Sequence, residues 1–212
     1  MTVGKVMKIN EMQNLICEIF ATLGVQTNFV FVQPTTSKSI AGAIGLKSNT
    51  GLVEFLGFKP PTVAGIIEVN DGYLDKRKFT DSEIRFVLAH ECSHIYNNHI
   101  IATTFWFLLE KYLKGEQNEN YFVIEAAKAL LAIRSKSGLP PNAETLREQE
   151  YEEDKIAVLS FTHDLDSAIS CLTKLVDGNL DLLSHLWELF GEVKPAMTMR
   201  ERIEVLRRNV SK

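Results

Sequence analysis

The chain has 212 residues, of which 45% are hydrophobic and 24% are charged, and its formal net charge is −4. This length suits one domain with a substantial core, and the apolar content excludes an intrinsically disordered chain. The slightly acidic balance gives no electrostatic reason to expect a nucleic-acid partner.

The first predicted elements are a helix and a small β-sheet. The helix ends near Gly24, and its apolar residues recur at helical spacing: Val6, Ile9, Met12, Ile16, Ile19, Phe20 and Leu23. Strands are predicted at residues 29–32, 52–56 and 63–69, with Pro60-Pro61 as a break, and residues 40–46 are rich in glycine and small apolar side chains.

The next predicted helix begins at a capping box, in which Thr80 caps the first turn and Glu83 returns to it. Its apolar residues follow the spacing of a buried stripe: Ile84, Val87, Leu88 and Ile95. The helix therefore runs through an H-E-x-x-H pattern, His90-Glu91-Cys92-Ser93-His94.

This pattern is typical of a zinc site. Four residues advance a helix by about 400°, so His90 and His94 project from one face and can share a tetrahedral ion. Glu91 lies about 100° round from His90, where its carboxylate can take a proton from a metal-activated water without becoming a ligand. Short motifs also arise by chance, and paired histidines can be ordinary hydrogen-bonded residues, so a third ligand is needed.

A helical pair is predicted between the motif and the next chemically informative segment. Its helices fall near residues 105–109 and 121–133, with a polar turn at residues 114–120. We interpret it as a helical-hairpin insertion at about residues 100–136 of a single domain, residues 1–212. Core packing of its aromatic side chains is favoured over shielding of a cleft or peripheral contact with a membrane.

The third ligand is predicted in an acidic helix at residues 149–154. Glu150 and Asp154 are four residues apart, and no other glutamate in the chain is followed by aspartate at this spacing. Glu150 could therefore bind the ion while Asp154, one turn on, accepts the ring N–H of a ligating histidine. The alternative is a solvated acidic face, but the apolar residues 156–161 favour a buried helix.

The rest of the chain is predicted to be helical, over residues 164–190 with a break near residues 177–179, and over residues 198–209 as a basic helix. The three cysteines, Cys17, Cys92 and Cys171, are widely separated and form no C-x-x-C pair, which indicates reduced thiols. Cys92 should point away from the metal. We recognise no leader and no apolar stretch long enough for a bilayer, so a cytoplasmic protein without a transmembrane segment is expected.

Several segments resemble the HtpX-like and CAAX prenyl protease type metallopeptidases. Residues 66–75 and 79–91 look like the strand, turn and helix that lead into the zinc motif of that family. Residues 150–154 are similar to its E-x-x-x-D segment, and residues 200–206 resemble its closing Arg-Ile segment. The chain departs from the family at Lys194-Pro195, where His-Pro is frequent, and it lacks the transmembrane helices of some members.

The resemblance implies an α+β, mainly helical, zincin-like fold of the gluzincin group, with a small β-sheet before the H-E-x-x-H helix. It implies a soluble zinc metallopeptidase, more readily an endopeptidase than an exopeptidase, that acts on protein or peptide substrates. One Zn²⁺ would be held by His90, His94 and Glu150. Asp154 would support a ligating histidine by accepting its ring N–H. A sheet edge holds the substrate in such peptidases, and residues 41–56 are the expected edge.

In the mechanism we expect, Glu91 is the general base and then passes its proton to the leaving amine. A further group should stabilise the oxyanion, and the candidates are Tyr151, His163, His185 and Arg202. Arg202 is suggested by the resemblance alone. His99 and His163 fit structural roles better than ligand roles.

Two other functions stay open. One is a catalytically silent, zinc-stabilised protein-binding module, against which the intact His90, Glu91, His94 and Glu150 argue. The other is a cytosolic regulatory metallopeptidase that cleaves a repressor. That group usually has a shorter gap between its histidine motif and its acidic helix than residues 94–150 provide.

Overall fold

The computed structural model describes residues 7–36, 40–48, 62–97, 143–178 and 198–210. Within these ranges the protein is mainly helical with one small β-sheet, which confirms the predicted class. The predicted strand at residues 52–56, the helical hairpin and the part of the chain between residues 179 and 197 lie outside the described residues. The single-domain organisation stays a prediction.

The first helix, α1, spans Ile9–Thr22 and buries one apolar stripe: Met12, Leu15, Ile16, Ile19 and Phe20. The chain leaves the helix through Gly24, whose φ of +67° is a left-handed conformation that glycine adopts without steric cost. The predicted helix and its end are therefore confirmed.

Three strands follow: β1 (Gln26–Pro34), β2 (Ala41–Ser48) and β3 (Thr62–Val69). Their order is β1-β3-β2, with β1 parallel and β2 antiparallel to the central β3. One face of the sheet is buried through alternate residues, among them Val30 and Val32 of β1 and Val63 and Ile67 of β3. In the described sheet β2 lies at an edge, as expected for residues 41–56.

The other edge, β1, is covered by a side chain of α1. The Gln13 amide donates from Nε2 to the Val30 carbonyl at 2.8 Å. Its Oε1 accepts from the Val32 N–H at 2.9 Å. Both backbone groups face away from β3, so Gln13 takes the place of a neighbouring strand at this point.

A short helix, α2 (Asp71–Lys76), leads to the motif helix α3 (Asp81–Asn97). The capping box is confirmed, because Thr80 N donates to Glu83 Oε2 at 2.6 Å and Glu83 N donates to Thr80 Oγ1 at 3.2 Å. Helix α3 packs against β2 and β3 and is buried on most of its surface, including the predicted stripe. The two histidines therefore lie inside the protein.

The remaining described elements are helical, and most of them pack against α3. Helix α4 (Ala143–Ile156) continues into a π-helical segment (Ala157–Thr162) that ends at His163, whose φ is 50°. Helix α5 (Leu165–Gly178) follows, and α6 (Met199–Val210) packs on both α4 and α5. No helix among the described residues is long and apolar enough to cross a membrane.

Candidate metal centre

Helices α3 and α4 bring three ligand-type side chains together in the protein interior. His90 and His94 of α3 are 0% and 2% exposed, and Glu150 of α4 is 5% exposed. The Nε2 atoms of the two histidines are 3.1 Å apart. Glu150 Oε2 lies 3.6 Å from His90 Nε2, and Glu150 Oε1 lies 3.4 Å from His94 Nε2.

These separations fit a single small cation. Two ligand atoms that each lie about 2.0–2.1 Å from zinc at a tetrahedral angle are about 3.3 Å apart. The 3.1 Å between the two Nε2 atoms and the 3.4 Å from His94 Nε2 to Glu150 Oε1 lie close to that value, and two imidazoles with one carboxylate are an ordinary donor set for catalytic zinc. Side chains that the sequence separates widely therefore form one group that could hold a metal ion.

Glu91 is fully buried beside these residues, and neither of its carboxylate oxygens has a hydrogen-bond partner among the described residues. Burial raises the pKa of Glu91, and the neighbouring His90 and His94 limit that rise. An unpaired buried carboxylate is costly unless a ligand or water satisfies it. Its position fits a proton acceptor next to a bound cation.

The ligand group is arranged to accept positive charge. Burial alone would lower the pKa of His94, but the adjacent Glu150 carboxylate outweighs burial and raises it to about 9. Burial alone would raise the pKa of Glu150, but Arg202 and the two imidazoles hold it well below its ordinary value. Glu150 is therefore ionised and faces a position where a cation is favourable.

Asp154 supports one of the two histidines. Its Oδ1 lies 2.9 Å from His90 Nδ1, and the residue is almost fully buried. Burial opposes ionisation of Asp154, but Arg202 holds the pKa of this carboxyl below its ordinary value. An ionised carboxylate at Nδ1 fixes the ring so that the Nε2 lone pair is directed to a metal. The structure thus places Asp154 next to a ring nitrogen of His90, as the sequence suggested.

Two of the four residues considered for the oxyanion, Arg202 and Tyr151, belong to the described part of α6 and α4. Arg202 is buried on α6, where its guanidinium contacts Asp154 and Glu150 instead of an open position. Because its donors are engaged by ligand-side carboxylates, this placement does not favour the oxyanion role. Tyr151 is half-buried between α4 and α6, where burial and the nearby Glu201 raise its pKa.

The other described histidine, His163, does not join the group. His163 is exposed and ends the π-helical segment. His99 and His185 lie outside the described residues. Cys92 is fully buried, and burial raises the pKa of its thiol well above the ordinary value, which makes it a poor ligand.

Sequence reasoning missed Glu153. This glutamate is fully buried, accepts a hydrogen bond from Asn97 Nδ2 at 3.1 Å and adds to the negative potential at His94. The signal that could have found it is its position three residues after Glu150, on the same helical face. Three acidic residues of α4, Glu150, Glu153 and Asp154, are buried, whereas Glu148 and Glu152 are exposed, so the solvated-face alternative is wrong for those three.

Comparisons with known proteins give one finding. The family model described as Peptidase family M48 matches residues 49–209, well over half of the chain. The match includes β3, the motif helix, the acidic helix and most of α6. No curated protein and no solved structure gives a significant match.

Proposed function

Because the chain belongs to peptidase family M48, we propose that it hydrolyses peptide bonds as a zinc-dependent metallopeptidase with Glu91 as its general base. The family indicates a metallopeptidase and a zincin-like fold. The observation that carries the proposal is the convergence of donor atoms from His90, His94 and Glu150 to within 4.8 Å of one another, all buried.

One zinc ion fits the donor set best. Catalytic zinc sites commonly use three protein ligands of these types and keep a fourth position for water or substrate. When bound, zinc would polarise the substrate carbonyl and lower the pKa of a water to about 7. Asp154 keeps His90 oriented, and Glu153 adds negative charge beside His94.

Glu91 would move the proton. Its raised pKa and unpaired oxygens suit a carboxylate that accepts a proton from the attacking water and then delivers it to the leaving amine. Among the described residues, Tyr151 stays a candidate for a donor to the oxyanion, since it lies one residue after Glu150 on α4 and Arg202 is engaged elsewhere.

For substrates, we propose proteins or peptides bound in extended form. Strand β2 is an edge of the described sheet and packs beside α3, so an added strand there would pass close to the histidines. Such binding grips the backbone on both sides of the cleaved bond, which favours an endopeptidase. We also propose a cytoplasmic location, because all three cysteines are free thiols.

The decisive experiment is Glu91→Gln with metal analysis of the purified protein. We expect about one zinc per chain in both forms, and a loss of peptide cleavage of about 10²-fold or more in the variant. Glu152→Gln, an exposed glutamate of α4, is the matched control and should cleave normally. Zinc-dependent cleavage at the unchanged rate in Glu91→Gln would refute the assigned base. Zinc without cleavage in the unmodified protein, over a broad substrate panel, would favour the silent binding module.

A further inference from the structure

Among the described residues, Arg202 is the only arginine or lysine that is buried, at 1% exposure. It lies against two buried carboxylates, those of Glu150 and Asp154. Burying a guanidinium is costly unless it is paired and hydrogen-bonded. Its location therefore needs an explanation in the chemistry of its neighbours.

The guanidinium joins both acidic residues of the E-x-x-x-D segment. Arg202 Nε donates to Asp154 Oδ2 at 2.7 Å, and Nη2 donates to Asp154 Oδ1. Nη1 lies 3.0 Å from Glu150 Oε2, an ion pair without the angles of a hydrogen bond. Planar, two-point pairing with a carboxylate is a geometry that arginine provides and lysine does not.

These contacts determine which nitrogen of His90 carries hydrogen. Asp154 accepts from Arg202 through both oxygens, so it acts as an ionised carboxylate that can only accept. Since Oδ1 is also 2.9 Å from His90 Nδ1, that nitrogen must be the donor. Arg202 Nη2 lies farther away, at 3.4 Å from His90 Nδ1, and it has no acceptor capacity. The Nε2 lone pair of His90 is therefore left for a cation.

The same side chain restricts Glu150. Arg202 Nη1 approaches Oε2, whereas Oε1 faces His94 Nε2 at 3.4 Å. Because the guanidinium pairs with the Oε2 side of this carboxylate, we take Oε1 as the oxygen that faces a cation. Arg202 thus contacts two of the three proposed ligands on the side away from the metal position: Glu150 directly, and His90 through Asp154.

We propose that Arg202 is a positioning residue of the metal site, which fixes the donor nitrogen of His90 through Asp154 and presents Glu150 through Oε1. The inference rests on the proposed function, because it takes His90, His94 and Glu150 as the ligands. It assigns α6, which contributes no ligand, a direct part in metal affinity.

The position of Arg202 is set by the start of α6. Thr198 N donates to Glu201 Oε2 at 2.7 Å, and Glu201 N donates to Thr198 Oγ1 at 3.3 Å. This capping box starts the helix, and Arg202 N donates to the Thr198 carbonyl in its first turn. The guanidinium is consequently anchored on a regular element, as a positioning group requires.

The test is the zinc dissociation constant, measured by competition with a chromophoric chelator, of Arg202→Met, Arg202→Lys and the unmodified protein. We expect zinc binding to be about 10–100-fold weaker in Arg202→Met. This is the usual loss when a group that supports a metal ligand by hydrogen bonds is removed. Arg202→Lys keeps the charge but not the two-point pairing, so its affinity should be intermediate. Arg207→Met, an exposed arginine of the same helix, is the control and should match the unmodified protein.

A cobalt-substituted sample gives an independent readout. The visible absorption of Co²⁺ reports the ligand geometry, so it should change in Arg202→Met and stay unchanged in Arg207→Met. A purely structural arginine would lower the melting temperature of metal-free and loaded protein alike, with the zinc constant and the cobalt spectrum unaltered. That result would overturn the inference.

If Arg202→Met does not fold, a double variant still tests the inference. Asp154→Asn combined with Arg202→Met removes the buried charge that the single substitution leaves unpaired, so it should fold. We expect it to bind zinc about 10–100-fold more weakly than the unmodified protein. Equal affinity would refute the inference. If the unmodified protein binds no zinc, the proposed function itself fails, whereas tight binding that is insensitive to Arg202 rejects the positioning role alone.

Discussion

Glu91 and Glu150 are the same kind of side chain on two packed helices, and their surroundings separate their chemistry. The Glu91 carboxylate has no hydrogen-bond partner among the described residues, and burial raises its pKa. Glu150 faces Arg202 and two imidazoles, which keep its pKa low despite burial. A carboxyl group that can hold a proton suits a base, and one that stays ionised suits a ligand.

The ion pair of His94 with Glu150 predicts how the zinc-free protein responds to pH. The pKa of His94 is about 9 in the folded protein, against 6.5 ordinarily. The protonated form therefore contributes stability that is fully present below pH 6.5 and is lost as the pH rises through about 9, with a magnitude of about 3 kcal/mol. The lowered pKa of Glu150 matters at acidic pH. The stability that its ionised form contributes is lost as the pH falls below about 4.5.

Zinc must displace the proton from His94, so we expect the affinity for zinc to rise about tenfold per pH unit between pH 7 and pH 8.5. Titration calorimetry in buffers of different ionisation enthalpy should detect about one proton released per zinc bound. An affinity that is constant over this range would contradict the pairing of His94 with Glu150.

Much of the site follows from residue spacing. The H-E-x-x-H interval placed His90 and His94 on one face, and the interval from Glu150 to Asp154 placed an acceptor one turn beyond a third ligand. Spacing could not distinguish buried from exposed members of the acidic run, because that depends on which face of α4 meets α3. For the same reason the pairing of Arg202 with Asp154, 48 residues earlier, was hidden, and the resemblance suggested a different role.

At the scale of elements, the two edges of the described sheet differ. Gln13 binds the Val30 carbonyl and the Val32 N–H on β1, whereas β2 lies beside the motif helix. Covering one edge with a side chain prevents strand addition there. We therefore expect an extended peptide that pairs with the described sheet to add to β2 and not to β1.

We expect Gln13→Ala to destabilise the protein by about 1–3 kcal/mol, because it leaves backbone groups of β1 without their partners. The exposed edge should also promote self-association. Chemical denaturation and sedimentation at several concentrations would measure both effects. Asn14→Ala, at the neighbouring exposed position of α1, is the control and should change neither.

The elements that sequence predicted best were those with strong patterns. The stripes of α1 and α3 and the capping box at Thr80 were recognised from side-chain periodicity and hydrogen-bonding chemistry. Strand β2 was less distinct, because its glycines and small residues lack the alternation that marks a half-buried strand. The π-helical segment had no sequence signal, since its extra residue per turn depends on packing against α3 and α5.

On the scale of the whole molecule, the candidate metal centre joins parts of the chain that are remote in sequence. The contact between Arg202 and His90 spans 112 residues, and the proposed ligands come from two helices that pack together. Such a centre should couple metal binding to the stability of the folded chain.

We therefore expect free zinc at about one hundred times its dissociation constant to stabilise the protein by about 2.7 kcal/mol. For a chain of this size, that corresponds to a rise in melting temperature of about 5–10 °C. Thermal denaturation after chelation and after zinc is restored would measure the change. Glu150→Ala should lose most of the increment, and an equal increment in that variant would show that zinc acts at another place.

The late position of Arg202 in the chain has a consequence for biosynthesis. A nascent polypeptide that has emerged from the ribosome through α5 already carries both histidines and Glu150, but not the guanidinium that orients them. If Arg202 positions the ligands as proposed, such a chain should bind zinc more weakly than the complete fold until α6 has been translated and has packed on α4 and α5.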